Sequence, residues 1–272
     1  MQNRASDFSR DHTWKIAVPR KSRLSPFLSC LLLVPIIAAW PSRAVACTVT
    51  VELPDVVFPL ENMDREAGCR LAEVVNDYTT YQMVPLVHVP IAKSLYDFLL
   101  DHPALTSNAV RYYKFGGYVV SEISPTVFRG EDREGGEATV TLLYQDPTRR
   151  IYHLRGSQRG QIIPTITGAG IVMLSYHARR GSDAREGIDT TVTVFSRLDN
   201  RFLANLVKLL RPILQRIINN KLTKGVNTVN RMTEFLAREP EEVSREVDKF
   251  VTDGSQARSF RAMLLSSVGR GG

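Results

Sequence analysis

The sequence predicts an α+β domain in which a curved antiparallel β-sheet grips one long C-terminal α-helix. Three observations carry this expectation. Between residues 117 and 195, short β-rich runs are joined by compact polar turns, as in an antiparallel meander. From Asn200 to Arg238 the period becomes helical. Its apolar stripe runs through Leu203, Leu206, Leu210, Ile213 and Ile217, then Leu222, Val226, Val229, Met232 and Leu236. Two short helical segments near residue 100 precede the meander.

Taken in order, Cys47–Leu53 (CTVTVEL) alternates like a short strand, and Asp64–Asn76 has helical spacing. Tyr81–Val89 is β-rich, but Pro85 restricts it to an edge or bent strand. Ser94 suits an N-cap for Leu95–Leu100, and Pro103 separates that helix from a second over Leu105–Tyr112. Gly117–Phe128 is extended around Pro125, and the acidic Gly130–Gly136 (GEDREGG) forms a hairpin loop. Ala138–Tyr144 alternates with Val140, Leu142 and Tyr144 on one face. In Ile151–Arg155, Tyr152 and Leu154 oppose Ile151, His153 and Arg155. Ile171–His177 and Ile188–Phe195 complete the strands, and Gly168-Ala169-Gly170 reads as a bend or rim loop. Asn200 caps the long helix, Pro212 kinks it and Gly225 weakens it. Pro240 starts a short helix to about Val251, and Ser267–Gly272 reads as a flexible, Gly-rich tail.

Charge speaks to address more than to partner. The chain carries 35 Lys+Arg against 28 Asp+Glu, a net of +7, yet residues 1–46 hold seven of the bases and two of the acids. The chain beyond residue 46 is nearly balanced, which argues against nucleic acid as a partner. Within 1–46, Lys21 and Arg23 precede an apolar run, Phe27–Trp40, and Ala44-Val45-Ala46 supplies small residues. That is the layout of a signal peptide cleaved after Ala46, for export to a periplasm or beyond. Export permits a disulfide between Cys47 and Cys69. The alternative is a lipoprotein anchored at Cys47, through a lipobox weakened by Ala44 in place of Leu.

The chain therefore divides into 1–46 (signal), 47–80 (an N-terminal extension), 81–240 (the main domain) and 241–272 (a short helix and tail). Motifs for catalysis are absent from the sequence: there is no HExxH, no CxxC and no G-x-S-x-G. Gly168-Ala169-Gly170 lacks the following helix of a dinucleotide loop. No cofactor and no metal site is expected. His153 and His177 lie on strands, facing away from the candidate inner face; His88, near Pro85 and Pro90, and His102, before Pro103, read as loop or strand-end residues. Glu131, Asp132, Glu134 and Glu137 read as a solvated hairpin tip, with calcium as the alternative. Arg149, Arg150, Arg155 and Arg159 cluster, and they read as solvated surface. Lys208, Arg211, Arg216, Lys221 and Lys224 stud the long helix as a solvated face, one able to touch an anionic membrane transiently.

Two stretches resemble the START-like helix-grip superfamily. Ser94–Val110 (SLYDFLLDHPALTSNAV) is similar to the helical insertion after the first strand. Asp189–Leu222 is similar to the last strand running into the gripping helix, and the likeness spans roughly Tyr81 to Pro240. The resemblance implies a hydrophobic ligand, a lipid or isoprenoid, held between sheet and helix, although some members are cyclases or cofactor carriers. On the residues themselves, the candidate wall is Val140, Leu142, Tyr144, Tyr152, Leu154, Val172, Leu174, Tyr176, Val192 and Val194 from the strands. Leu206, Leu210, Ile213 and Ile217 face it from the helix. A non-enzymatic carrier is the leading expectation. A cyclase- or hydrolase-type enzyme on the same scaffold and an envelope protein with a filled core are the alternatives.

Overall fold

Strict alternation gives each strand two faces, and helices cover both faces of this sheet. The computed structural model describes residues 47–52, 56–159, 165–180, 186–199 and 201–268, with the side chains at 85–86, 180, 201–214 and 267–268 left aside. The expected signal peptide and its cleavage point lie outside these residues, as does Asn200. Among the described residues, seven strands form one sheet: β1 (Thr80–Val89), β2 (Val119–Ser124), β3 (Val127–Glu131), β4 (Gly136–Asp146), β5 (Arg149–Gln158), β6 (Ile166–Arg180) and β7 (Glu186–Leu198). Their order is β1-β7-β6-β5-β4-β3-β2, every pairing antiparallel. Pro85 falls in edge strand β1, where the register shifts between Val84 and Val87.

The ladders place Val140, Leu142, Leu154, Tyr152, Val172, Leu174, Val194 and Val192 on one inner face, through pairs such as Leu142 with Tyr152 and Val172 with Val194. Tyr144 departs from the sequence expectation. Leu142 pairs with Tyr152 while Tyr144 pairs with Ile151, so a bulge at Leu143 carries Tyr144 to the outer face. There it packs beside Ile151, Ile171 and Phe195, and its hydroxyl donates to Asp146 at 3.0 Å. The stretch read as a bend or rim loop is ordinary ladder, since β6 begins at Ile166 and pairs with both neighbours.

The outer face is covered by α1 (Arg65–Val75). Asp64 caps it by accepting from the Ala67 N–H at 2.8 Å. Leu71, Val74 and Val75 bury against Ile171 and Phe195. Residues 47–52 alternate but join no ladder, against the strand expectation. Asn76 replaces a strand partner there, accepting from Thr50 N–H and donating to the Thr48 carbonyl, both at 2.8 Å. A Cys47–Cys69 disulfide ties the segment to α1.

On the inner side, α2 (Lys93–Asp101) and α3 (Pro103–Tyr112) follow β1. Helix α2 starts before Ser94, with Ala92 at the cap position and no side-chain cap bond. The Thr106 hydroxyl donates to the Leu99 carbonyl at 2.7 Å and stitches α2 to α3. Helix α4 (Arg201–Arg238) runs through Pro212 and Gly225, and Met232 and Leu236 are buried in the inner core. Val229, expected on its apolar stripe, is 43% exposed because the stripe rotates toward Thr228 and Met232. After α5 (Pro240–Glu246) comes α6 (Gly254–Val268), a helix that the sequence reading does not identify, and the expected tail beyond residue 268 lies outside the described residues. Ala257, Phe260 and Leu264 bury one narrow face of α6, with Phe260 stacked on Phe98 at 5.8 Å.

Two measurements test these attachments. Replacing Cys47 and Cys69 by Ser, which opens a loop with a sequence separation of 22, is expected to lower unfolding free energy by about 3 kcal/mol in denaturant titrations. Phe260→Ala is expected to cost about 3–5 kcal/mol, whereas a loosely attached C-terminus would leave the titration unchanged.

Candidate functional site

The inner face is filled at one end and open at the other. At the filled end, Leu174, Tyr176 and Ile188 join α2, α4, α5 and α6 in a continuous core. Toward the opposite end the inward positions become small: Gly130 pairs with Ala138, Ala138 with Gly156, and Gly156 with Gly168. A Cβ on Gly156 would lie 2.2 Å from the Glu137 carbonyl oxygen, and one on Gly168 would lie 2.4 Å from that of Arg197. These two glycines therefore permit a strand approach that any side chain would block. Above the small residues lies a largely apolar groove of about 470 Å³, walled by Leu154, Ala138 and Leu198 and roofed by Ile217, Ile218 and Lys221 of α4. That size falls in the range of small-molecule sites.

A buried polar cluster of the inner face sits at the filled end. Arg150 is 5% exposed, pairs with Asp101 at 2.8 Å and reaches the Tyr176 hydroxyl at 3.5 Å. Burial opposes its charge, and these two partners restore it, so the guanidinium stays protonated. Tyr96 stands edge-on to Tyr176 at 5.2 Å, and burial pushes its phenol up to about 12. Burial raises Tyr152 and Tyr176 as well. None of these phenols is shifted toward a nucleophile or base at neutral pH. Tyr176 and Tyr152 instead satisfy the buried cation, and the Tyr96 hydroxyl meets Thr190 at 3.4 Å.

The open end is closed at its rim by charge. The hairpin tip between β3 and β4 is not simply solvated: Asp132 bonds to Lys221, and Glu134 bonds to Lys224 and, at 3.0 Å, to Lys221. Asp132 also accepts from the Glu134 and Gly136 N–H groups at 2.7 and 2.8 Å, which shapes the turn. Burial alone would raise the Asp132 carboxyl, but Lys221 and those N–H groups outweigh it and hold it below the usual range. The bonds from Lys224 and Lys221 lower Glu134.

Of the residues expected to form the wall, Leu154 and Ile217 line the groove. Val140, Leu142, Tyr152, Val172, Val192 and Val194 share its face. Leu174 and Tyr176 also share it but belong to the filled core, and Tyr144 faces the other way. The side chains of Leu206, Leu210 and Ile213 lie outside the described set. Sequence reasoning misses Gly130, Ala138, Gly156 and Gly168, and it places Arg150 on the surface. Extending the alternation of Tyr152 and Leu154 by one step each way would put both Arg150 and Gly156 on the inner face.

The histidines lie elsewhere. His153 is on the outer face, its pKa lowered by burial and then by Arg70. His177 is exposed, His88 meets Asp189 at 2.9 Å, and His102 stacks on Phe98. Among the described residues no group of three or more His, Cys, Asp or Glu is placed to hold a metal, and no helix is long and apolar enough to cross a membrane.

No protein-family model and no curated protein matches the chain. Solved structures do match. An uncharacterized protein from Rhizobium leguminosarum is 12% identical over 57% of this chain and 94% of that one, with a TM-score of 0.35. The di-domain ARO/CYC BexL of the BE-7585A biosynthetic pathway is 14% identical over 62% and 55%, with a TM-score of 0.38. Norcoclaurine synthase from Thalictrum flavum is 10% identical over 56% and 86%, with a TM-score of 0.37. Likeness at this level attaches none of those proteins' activities to this chain. The α+β helix-grip architecture stands on the ladders and on α4.

The rim pairs make the hairpin sensitive to pH. Because both carboxyls are lowered in the folded state, their contribution is present above the unfolded value and is lost as pH falls through the folded one. The protection factors of the Asp132–Gly136 amides are expected to fall below about pH 4, the ordinary carboxylate range, before those of the core amides respond. Asp132→Asn, which keeps the turn acceptor but not the charge, is expected to cost about 1 kcal/mol and to flatten that pH response.

Proposed function

We propose that the chain is an exported START-like carrier that holds a hydrophobic ligand, a lipid or isoprenoid, without chemical turnover. The observation that carries this reading is the groove: an apolar space of about 470 Å³ between the inner face and α4. Its dimensions favour it over an envelope protein with a filled core. The state of the ionisable groups favours binding over catalysis: the buried Arg150 cluster is packed against the core, His153 and His177 stand on the outer side, and Lys221 and Asp132 at the groove are engaged with each other. An enzyme of the cyclase or hydrolase kind needs an unengaged group of this sort aimed into the cavity.

Export is supported by the basic and apolar layout of residues 1–46 and by the disulfide, which belongs to oxidising compartments. With its sulfur engaged by Cys69, Cys47 is not free for lipid attachment, which favours soluble export over an anchored lipoprotein. Transient contact with a membrane surface is supported by edge strand β2, where Val119 beside the groove is 42% exposed and Ile123 is 61% exposed.

Native mass spectrometry and solvent extraction of the mature protein test the reading. A bound apolar molecule is the expected result. Ala138→Phe, which projects a ring into the groove, is expected to remove that molecule and weaken an apolar fluorescent probe at least tenfold, about 1.4 kcal/mol, while circular dichroism stays unchanged. A wild-type protein that carries nothing and ignores such probes would overturn it.

A further inference from the structure

A second cavity adjoins the groove and has the opposite chemistry. It encloses about 370 Å³ between the end of α3, the Gly116–Gly117 connection, the hairpin tip and α4, and it shares Tyr118 and Asp132 with the groove. Four cations, Arg111, Lys114, Arg133 and Lys224, face two acids, Asp132 and Glu134. Both acids are already engaged by Lys221 and Lys224. Arg111, Lys114 and Arg133 make no ion pair among the described residues, which leaves the cavity with unmatched positive charge.

Two backbone features place Lys114 and Arg133 there. Helix α3 ends with the Phe115 N–H donating to the Val110 carbonyl at 2.9 Å and the Lys114 N–H to that of Arg111 at 3.1 Å. That pattern is a Schellman turn, whose left-handed position is usually glycine. Here it is Lys114, with φ 60°. A left-handed lysine is disfavoured relative to glycine, and it points a charge where glycine would leave none. Separately, a Cβ on Gly117 would lie 2.9 Å from Cδ of Arg133, so that glycine leaves room for the arginine stem to lie across the connection.

We infer that this cavity seats the acidic head of an amphiphile whose apolar part occupies the adjoining groove. The inference rests on the carrier reading and narrows its ligand class to apolar molecules ending in a carboxylate or phosphate. Tyr118 and Asp132 wall both spaces, so the head site and the groove lie side by side within reach of one molecule. The unmatched guanidinium and ammonium groups supply charge-assisted hydrogen bonds to its head. A neutral amphiphile leaves that charge unmatched and binds through the groove alone.

The test compares oleate with oleyl alcohol, which share a chain and differ in the head, by calorimetry on the mature protein. Wild type is expected to prefer oleate by about tenfold, and the preference is expected to shrink as salt is raised. In Arg111→Gln/Lys114→Gly/Arg133→Gln, oleate is expected to weaken to the level of the alcohol while alcohol binding stays unchanged, which also reports an intact fold. Lys114→Gly alone relieves the left-handed backbone, and it is expected to weaken oleate about threefold while melting no lower than wild type. Equal binding of the two probes to wild type, or a preference that survives the triple substitution, would overturn the head site and leave the carrier reading standing. Inorganic phosphate binding as tightly as oleate would also overturn it, since the site would then serve a free anion. If wild type takes up neither probe, the carrier reading fails and the head site fails with it.

Discussion

The open end of this molecule depends on the close approach of β5 to β4 at Gly156 and of β6 to β7 at Gly168. A side chain at either position would strike a neighbouring carbonyl oxygen at well under van der Waals distance. Those same positions, with Gly130 and Ala138, leave the inner face without the bulk that Leu174 and Tyr176 supply further along. One sheet therefore carries a packed core at one end and an apolar hollow at the other. A single helix spans both, burying Met232 and Leu236 over the core and presenting Ile217 and Ile218 to the hollow. Apolar surface left open in this way has a thermodynamic incentive to be covered, at about 25 cal/mol per Å².

Charge is distributed with similar economy. The buried cation, Arg150, is matched by Asp101 and by tyrosine hydroxyls inside the core, where an unpaired guanidinium would be costly. At the rim, Asp132 and Glu134 are engaged by Lys221 and Lys224, joining the β3–β4 hairpin to α4 across the side of the hollow. Partly exposed pairs of this kind contribute little to stability individually. Their consequence is positional: they fix the hairpin beside the groove, and Arg111, Lys114 and Arg133 nearby make no ion pair among the described residues.

Much of this is legible in the sequence because it comes from periodicity. The change from a two-residue to a 3.6-residue period near residue 200 separates sheet from helix, and the alternation of Val140, Leu142, Tyr152 and Leu154 identifies the inner face. Tyr144 escapes that logic because a bulge adds one residue to β4 and inverts everything beyond it, and alternation alone carries no mark of that. Helix α6 is hidden because it buries only Ala257, Phe260 and Leu264 among serines and arginines, a stripe too narrow to stand out. The segment after Cys47 alternates like a strand yet finds its partner in one asparagine side chain. Long-range partners of that kind have no local signature.

The site shows the same division between local and distant information. Apolar wall residues are visible as periodic bulk, whereas the hollow is made of positions where bulk is missing, and glycine in a strand reads first as a bend. The cations beside it carry no mark of their own, because a sequence gives no count of partners. Only the fold reveals that the neighbouring acids are occupied by α4 and that Lys114 holds a backbone conformation glycine would adopt more readily. Placing a charged side chain at a left-handed helix end gives up stability that a glycine would retain. That local conflict sits beside a cavity where Arg111 and Arg133 also make no ion pair among the described residues.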